Sequence, residues 1–124
     1  MKKLNILFLF YLSLLFSTFI LQGCAGYGAI AEKNNSNLLK LDIGETKSRV
    51  LEIMGNPHKN EKYQIENRNY DVWFYRTAHT PDYSETDDEF TPVVIIDGKV
   101  AGWGRNFYDN TIKIKQEIKI EKKN

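Results

Sequence analysis

The sequence predicts an α+β domain in which one or two short N-terminal helices pack on one face of a three- to four-stranded antiparallel sheet. Three observations lead to this prediction. Residues 46–54 have the apolar spacing of a short helix, residues 63–77 alternate as strands do, and Asp97-Gly98 joins two apolar runs. A short helix followed by antiparallel hairpins is the composition of an α+β domain.

A helix is predicted from about Thr46 to Met54. Thr46 can accept a backbone N–H as the N-terminal cap. Val50, Ile53 and Met54 recur every three or four residues and form one apolar stripe. Gly55 then supplies a helix stop, so the helix is short and needs tertiary packing to persist.

From residue 58 onwards the apolar period changes to two. The run 70–77 is rich in aromatic and β-branched residues, and the turn at 67–69 pairs it with the preceding strand. Both faces of this run carry large side chains, which are Tyr70, Val72 and Phe74 on one face and Trp73, Tyr75 and Thr77 on the other. We therefore expect one face of the sheet to be covered and the other to be partly covered or engaged.

The second hairpin has the two-residue Asp97-Gly98 turn of type I′. This turn places Ile95 opposite Val100 and Val93 opposite Gly102. Because a glycine removes a side chain from the sheet surface, a helix or a large aromatic side chain is expected to lie close against the sheet there.

Residues 1–23 have the layout of a signal peptide, with Lys2 and Lys3 before an apolar stretch at 4–21. The cationic start favours export of the chain that follows it. The alternative is an uncleaved transmembrane anchor, since eighteen residues at 1.5 Å rise span roughly 27 Å.

The rest of the chain divides into three segments by composition. Residues 24–37 are predicted as a tether, residues 38–110 as the folded domain with a second short helix near its start, and residues 111–124 as a Lys-rich C-terminal tail. The spacing of isoleucines in the tail fits either a strand or a helix.

Charge and cysteine content restrict the classes of function. Without Lys2 and Lys3, 15 of the 17 basic residues stand against 16 acidic ones, so no basic stripe indicates nucleic-acid binding. The single cysteine has no partner for an internal disulfide.

That cysteine ends the run Leu21-Gln22-Gly23-Cys24, which resembles the lipobox of bacterial lipoproteins. The resemblance implies cleavage before Cys24 and acyl chains on its sulfur, and two or three chains anchor a domain stably. Ala25 rather than Asp after the cysteine implies the outer membrane where a cell has two membranes.

A second resemblance covers residues 38–105. The pattern Gly-x-Thr-Lys-x-x-Val-Leu-x-x-Met-Gly-x-Pro at 44–57, the aromatic strand and the run Val-Val-Ile-Ile-Asp-Gly-Lys-Val-x-Gly-Trp at 93–103 resemble the SmpA/OmlA/BamE lipoproteins and related uncharacterised lipoprotein domains. This implies two short helices on a sheet of about three strands, and an accessory role at the periplasmic face of the outer membrane. The strand segment Phe74-Tyr75-Arg76-Thr77, the long acidic loop before Thr91-Pro92 and the Lys-rich tail depart from BamE and resemble the uncharacterised relatives more.

The chain is therefore predicted to be a non-catalytic, lipid-anchored module that binds an envelope protein, in outer-membrane protein assembly or envelope integrity. The alternative is a lipoprotein that binds another envelope ligand or inhibits an envelope enzyme, because the β-lactamase-inhibitor-protein family has a similar layout. His58 and His79 lack metal-ligand spacing, and the serines lack a nucleophile-elbow motif. No catalytic residue, cofactor, metal site or small-molecule substrate is predicted.

Two sets of candidate site residues follow. Trp73, Tyr75 and Trp103 are candidates for an exposed aromatic patch that binds a partner, with ordinary sheet core as the alternative. Arg76 and Glu89 are predicted to form an ion pair that fixes the loop to the sheet.

The loop at 78–91 is acidic and long for a compact domain. It fits a solvated loop, a surface for a basic partner or, through carboxylate oxygens, a calcium site.

Overall fold

The computed structural model describes residues 5–6, 10–11, 26–82 and 84–121. Most of the leader and Cys24 lie outside these ranges, so the signal peptide and the lipid attachment stay predictions. Within the described ranges, no helix combines the length and the apolar character needed to cross a bilayer.

The fold is α+β, as predicted, and its centre is a four-stranded antiparallel sheet in the order β1-β2-β3-β4. The strands are β1 (Lys59–Ile65), β2 (Arg68–Arg76), β3 (Phe90–Ile96) and β4 (Lys99–Trp103). Two-residue turns close both hairpins, and their positive φ angles at Glu66, Asn67, Asp97 and Gly98 fit type I′ geometry.

Helices α1 (Tyr27–Leu38) and α2 (Lys47–Met54) cover one face of the sheet. Thr46 caps α2 by accepting the Arg49 N–H at 3.3 Å, as its sequence predicted. The core on this face joins helix and loop residues to three strands, and its members are Leu38, Leu41, Val50, Met54, Trp73, Tyr75, Val93, Ile95 and Val100.

Helix α1 corrects the prediction of a tether at residues 24–37. Residues 27–37 are helical and dock on the sheet, with Ala31, Asn34 and Asn37 buried. Asn34 Nδ2 donates to the Arg76 carbonyl at 2.7 Å, and Asn35 Nδ2 donates to the Thr77 carbonyl at 2.8 Å. The prediction failed because this helix attaches through amides and a small side chain, which give no apolar period.

The opposite face is covered by the C-terminal segment. Helix α3 (Arg105–Tyr108), a π-helical turn (Asp109–Lys113) and helix α4 (Ile114–Glu121) follow β4. Ile112 is fully buried in the core beneath them. The segment predicted as a tail is therefore helical from residue 111 to residue 121, and the core extends past the predicted boundary at 110.

The β3–β4 register agrees with the prediction at Ile95 and Val100 but shifts at a bulge between Val94 and Ile95. Beyond the bulge, Val94 faces Gly102 and Val93 faces Trp103, so the predicted pairing of Val93 with Gly102 is wrong. The expected large aromatic is the Phe107 ring, which packs against Gly102 so closely that an added Cβ would lie 2.8 Å from it.

Candidate functional site

The proposed aromatic patch is not a surface. Trp73 is 8% exposed, Tyr75 is 1% exposed, and half-buried Trp103 packs against the same core. Tyr75 Oη donates to the Gly55 carbonyl at 3.0 Å, and burial raises the pKa of Tyr75. These residues are sheet core because their face of the sheet is the one that α1 and α2 cover.

Arg76 and Glu89, the predicted ion pair, meet at one end of the sheet. Arg76 is the last residue of β2 and Glu89 directly precedes β3, which runs antiparallel to it. Arg76 Nη1 lies 2.5 Å from Glu89 Oε2, and both side chains are at most 5% exposed. Arg76 Nη2 also lies 2.6 Å from Glu85 Oε2, so one guanidinium binds two carboxylates.

The second carboxylate oxygen of Glu89 binds the loop through Thr80. Glu89 Oε1 accepts the backbone N–H of Thr80 at 2.6 Å and the Thr80 hydroxyl at 2.8 Å. These two donors, followed by Arg76, lower the pKa of Glu89 to about 2. The backbone N–H groups of Thr77 and Ala78 donate to the Glu89 carbonyl as well.

Two aromatic rings enclose the guanidinium of Arg76. Its Cζ lies 4.5 Å from the centroid of Tyr27, the first residue of α1, and 4.6 Å from the centroid of Phe90. Such contacts stabilise a cation through the negative ring faces. Helix α1, β2 and the acidic loop therefore meet at Arg76.

Beside Arg76 lies an open cleft of about 450 Å³, which we call the Arg76 cleft. Its lining residues are Tyr27, Arg76, His79, Thr80, Pro81, Ser84, Glu85 and Glu89. The Tyr27 and His79 rings, which both line the cleft, have centroids 5.5 Å apart. Glu85 has a further contact with a residue that does not line the cleft, since His58 Nε2 lies 3.1 Å from Glu85 Oε1.

Arg76, Glu85, Glu89 and Thr80 pair with one another in this cleft, whereas His79 and Ser84 are not joined to them by hydrogen bonds. His79 Nδ1 is 3.8 Å from Glu89 Oε1, beyond hydrogen-bond distance. Ser84 donates its backbone N–H to Asp82, and no hydrogen bond of its hydroxyl appears in the described part of the chain. Among the described residues that line the cleft, no nucleophile and base are joined by a hydrogen bond.

The acidic loop does not gather its carboxylates around one point. Glu85 and Glu89 point to Arg76, whereas Asp87 lies 3.7 Å from Lys59 Nζ. Across residues 26–82 and 84–121, no three His, Cys, Asp or Glu side chains are grouped as a metal site. Glu85, Asp87 and Glu89 of the loop thus form ion pairs with cations of the same chain.

Sequence reasoning missed three contributors to this site. Glu85 lies in the acidic run of the loop, and this cluster of carboxylates is a sequence signal for a second partner of Arg76. Tyr27 and Asn34 fell inside the predicted tether, and no local pattern connects them to β2. Their contacts with β2 depend on the docking of α1 on the sheet.

A family described as "Protein of unknown function (DUF3192)" matches residues 26–110. The chain belongs to this family. The DUF3192 match starts one residue before α1 and includes the whole sheet and every residue that lines the Arg76 cleft. No curated protein and no solved structure matches the chain.

Proposed function

We propose that this DUF3192 protein is a lipid-anchored envelope lipoprotein whose domain is a non-catalytic protein-binding module. Outer-membrane protein assembly or envelope integrity is the process that it would serve. The observation that supports the non-catalytic interpretation most is the pairing of the charged groups at the Arg76 cleft, where Arg76, Glu85, Glu89 and Thr80 satisfy one another. Groups held in this way offer shape and charge to a partner rather than a reactive atom.

The length of the intervening chain limits how far the proposed anchor can lie from the cleft. Cys24 is three residues before Tyr27, and three residues of extended chain reach only about 10 Å. Because α1 is docked on the sheet, acylation of Cys24 would hold the cleft near the bilayer surface. The partner is therefore expected at the membrane, within reach of a domain that has little freedom to swing.

The anchor is tested by Cys24→Ser in the cell that makes the protein. We expect the variant to accumulate as an unprocessed precursor or to leave the acylated pool, as measured by fractionation and intact-mass spectrometry. Ser36→Ala, at an exposed position of α1, is the control and should be processed and anchored normally. A Cys24→Ser chain that matures normally and stays in the membrane would contradict the proposal.

The partner is tested by chemical cross-linking in cells, followed by identification of the attached protein. Barrel-assembly components would support the proposed process. An unrelated enzyme or cell-wall fragments would favour the second candidate, a lipoprotein that binds another envelope ligand or inhibits an enzyme. The size of the Arg76 cleft favours that candidate, since ligand pockets measure about 300–1,000 Å³.

A further inference from the structure

The two edges of the sheet differ in how their outward backbone groups are used. At the β4 edge, Gly44 N–H donates to the Val100 carbonyl at 2.7 Å, and Val100 N–H donates to the Glu45 carbonyl at 2.8 Å. Thr46 adds a bridge to Lys99. At the β1 edge, the described part of the chain supplies no further segment that pairs with the strand.

The register identifies which β1 residues face outward. Ile65 and Arg68 flank a two-residue turn, so this pair exchanges both backbone hydrogen bonds, and the pairs alternate from there. The Asn69 carbonyl accepts the Asp97 N–H at 2.8 Å, and it therefore points away from β1. Gln64, opposite Asn69, must point away from β2.

By the same alternation, Asn60, Lys62 and Gln64 direct their backbone N–H and C=O groups out of the sheet. All three residues are exposed. They form one row of donors and acceptors in the spacing that an added strand would match.

A groove of about 450 Å³ runs beside this edge on the helix-covered face, bounded by α2, β1, β2 and the β3–β4 turn. Asp71 lies at its base with its side chain 8% exposed. Lys47 forms an ion pair with Asp71 Oδ2, while Asp71 Oδ1 has no hydrogen-bond partner in the described residues. Lys62 Nζ is 4.0 Å from that oxygen, too far for a hydrogen bond.

The two lysines of β1 differ in their contacts, and Lys62 has fewer than Lys59. Lys59 lies 3.6 Å from Glu61, 3.7 Å from Asp87 and over the Phe74 ring. Lys62 is 73% exposed and has only the distant Asp71 contact in the described part of the chain. A carboxylate that approaches the edge would therefore find Lys62 available.

We propose that the β1 edge binds an extended segment of a partner protein, which adds as a fifth strand and places an acidic side chain against Lys62. Backbone hydrogen bonds would supply affinity, and the groove beside Lys62 would supply specificity. The inference rests on the proposed protein-binding function and names the surface that performs it. A second copy of the chain fits less well, because antiparallel self-pairing centred on the strand sets Lys62 against Lys62.

The test places the photo-cross-linker p-benzoylphenylalanine at Asn60 of the full chain, expressed in its own cell. We expect an adduct in which the cross-linked partner peptide contains acidic residues in an extended run. Gln64→Pro removes one outward N–H but leaves the β1–β2 ladder intact, since that N–H does not face β2. Gln64→Thr keeps the N–H and is the matched control.

Gln64→Pro should reduce the adduct at least fivefold, while Gln64→Thr should leave it within twofold. Lys62→Glu should reduce the adduct more than Lys62→Gln, and this pair tests the edge without altering the backbone. Thermal melts of all four variants show whether each remains folded.

Three outcomes would overturn the inference. The adduct could be absent at Asn60, insensitive to both Gln64→Pro and Lys62→Glu, or composed of two copies of this chain. If a cross-linker at exposed Leu39 captures a partner and one at Asn60 does not, the protein-binding function survives and the edge assignment fails.

Discussion

Glu89 makes the stability of the loop dependent on pH. Hydrogen bonds from Thr80, followed by the pair with Arg76, lower the pKa of Glu89 from 4.5 to about 2. Between these values the unfolded chain binds more protons than the folded one, so stability is fully present above pH 4.5 and falls as the pH drops towards 2.

We expect the melting temperature of the wild type to fall as the pH drops from 4.5 to about 2. In Glu89→Gln the melting temperature should fall less over the same pH range. Glu32→Gln, at an exposed position of α1, should keep the wild-type slope. Thermal melts at half-unit pH steps measure both. A Glu89→Gln profile parallel to the wild type would show that Glu89 does not fix the loop electrostatically.

Arg76→Met tests the cation rather than its carboxylate partner. It leaves Glu85 and Glu89 without the guanidinium that holds them, so the loop at 77–86 should become more accessible to proteases. Limited proteolysis of the purified chain measures the cleavage rate in the loop.

Arg68→Met is the matched control for this change. Arg68 pairs with Asp97 at 2.9 Å, but both side chains are about half exposed, and such pairs contribute about 0–1 kcal/mol. In the Arg68→Met variant, proteases should cleave the loop at the wild-type rate. Equal cleavage of wild type and Arg76→Met would contradict the role of the ion pair.

The candidate site was predictable only where the chemistry was local. Arg76 and Glu89 stood out because a charged residue ends an apolar strand and a carboxylate precedes the next one. Trp73 and Tyr75 were candidates for an exposed patch, with sheet core as the alternative, because both faces of β2 carry large side chains and the alternation does not reveal how fully each face is covered. Asp71, within the same strand, gave no signal of the groove above it.

At the scale of the elements, the C-terminal segment is expected to be part of the folded core. Ile112 is fully buried, and replacing it with alanine should cost about 2–4 kcal/mol through lost burial and the cavity left behind. Ile120→Ala, at a position 63% exposed, should change the free energy of unfolding by less than about 0.5 kcal/mol. Urea denaturation measures both, and similar costs would mean that the segment does not pack as described.

The contact between β4 and α3 depends on the glycine at position 102, which has no side chain. An alanine at Gly102 would put its Cβ 2.8 Å from the Phe107 ring, so Gly102→Ala should cost about 1–3 kcal/mol by overpacking. Phe107→Ala removes the clash, and Gly102→Ala should then cost far less in that background. Additive costs in the double-mutant cycle would argue against a direct contact.

The hairpins were predictable because their turn chemistry and alternation are local properties of the sequence. Helix α1 was not, since it docks through Asn34 and Asn35 onto carbonyls 42 residues away in the chain. The bulge at Val94 and Ile95 was not predictable either. With one extra residue in β4, the apolar pattern of the strand fits two pairing registers equally well. Long-range pairing decides both features.

At the scale of the whole molecule, the Arg76 cleft and the groove over Asp71 lie towards opposite ends of β2. Arg76 lies five positions after Asp71 along the strand, a distance of about 17 Å. The cleft is at the end where α1 begins, and α1 begins three residues after the proposed lipid attachment site in the sequence. The groove is at the end with the hairpin turns, so in the proposed anchored form that end of the β1 edge would lie further from the bilayer.

This arrangement predicts an oriented domain on the membrane. A fluorophore on Ser84→Cys, at the cleft, should be quenched by lipids with labelled headgroups, and one on Lys99→Cys, next to the far turn, should be quenched much less. The label is specific because Cys24, the chain's other thiol, is acylated in the proposed mature form. Ten Gly/Ser residues inserted between Ala25 and Gly26 should remove the difference, since such a linker spans about 16–19 Å and lets the domain reorient. Equal quenching at both sites without the insertion would show that the short connection to Tyr27 does not orient the domain.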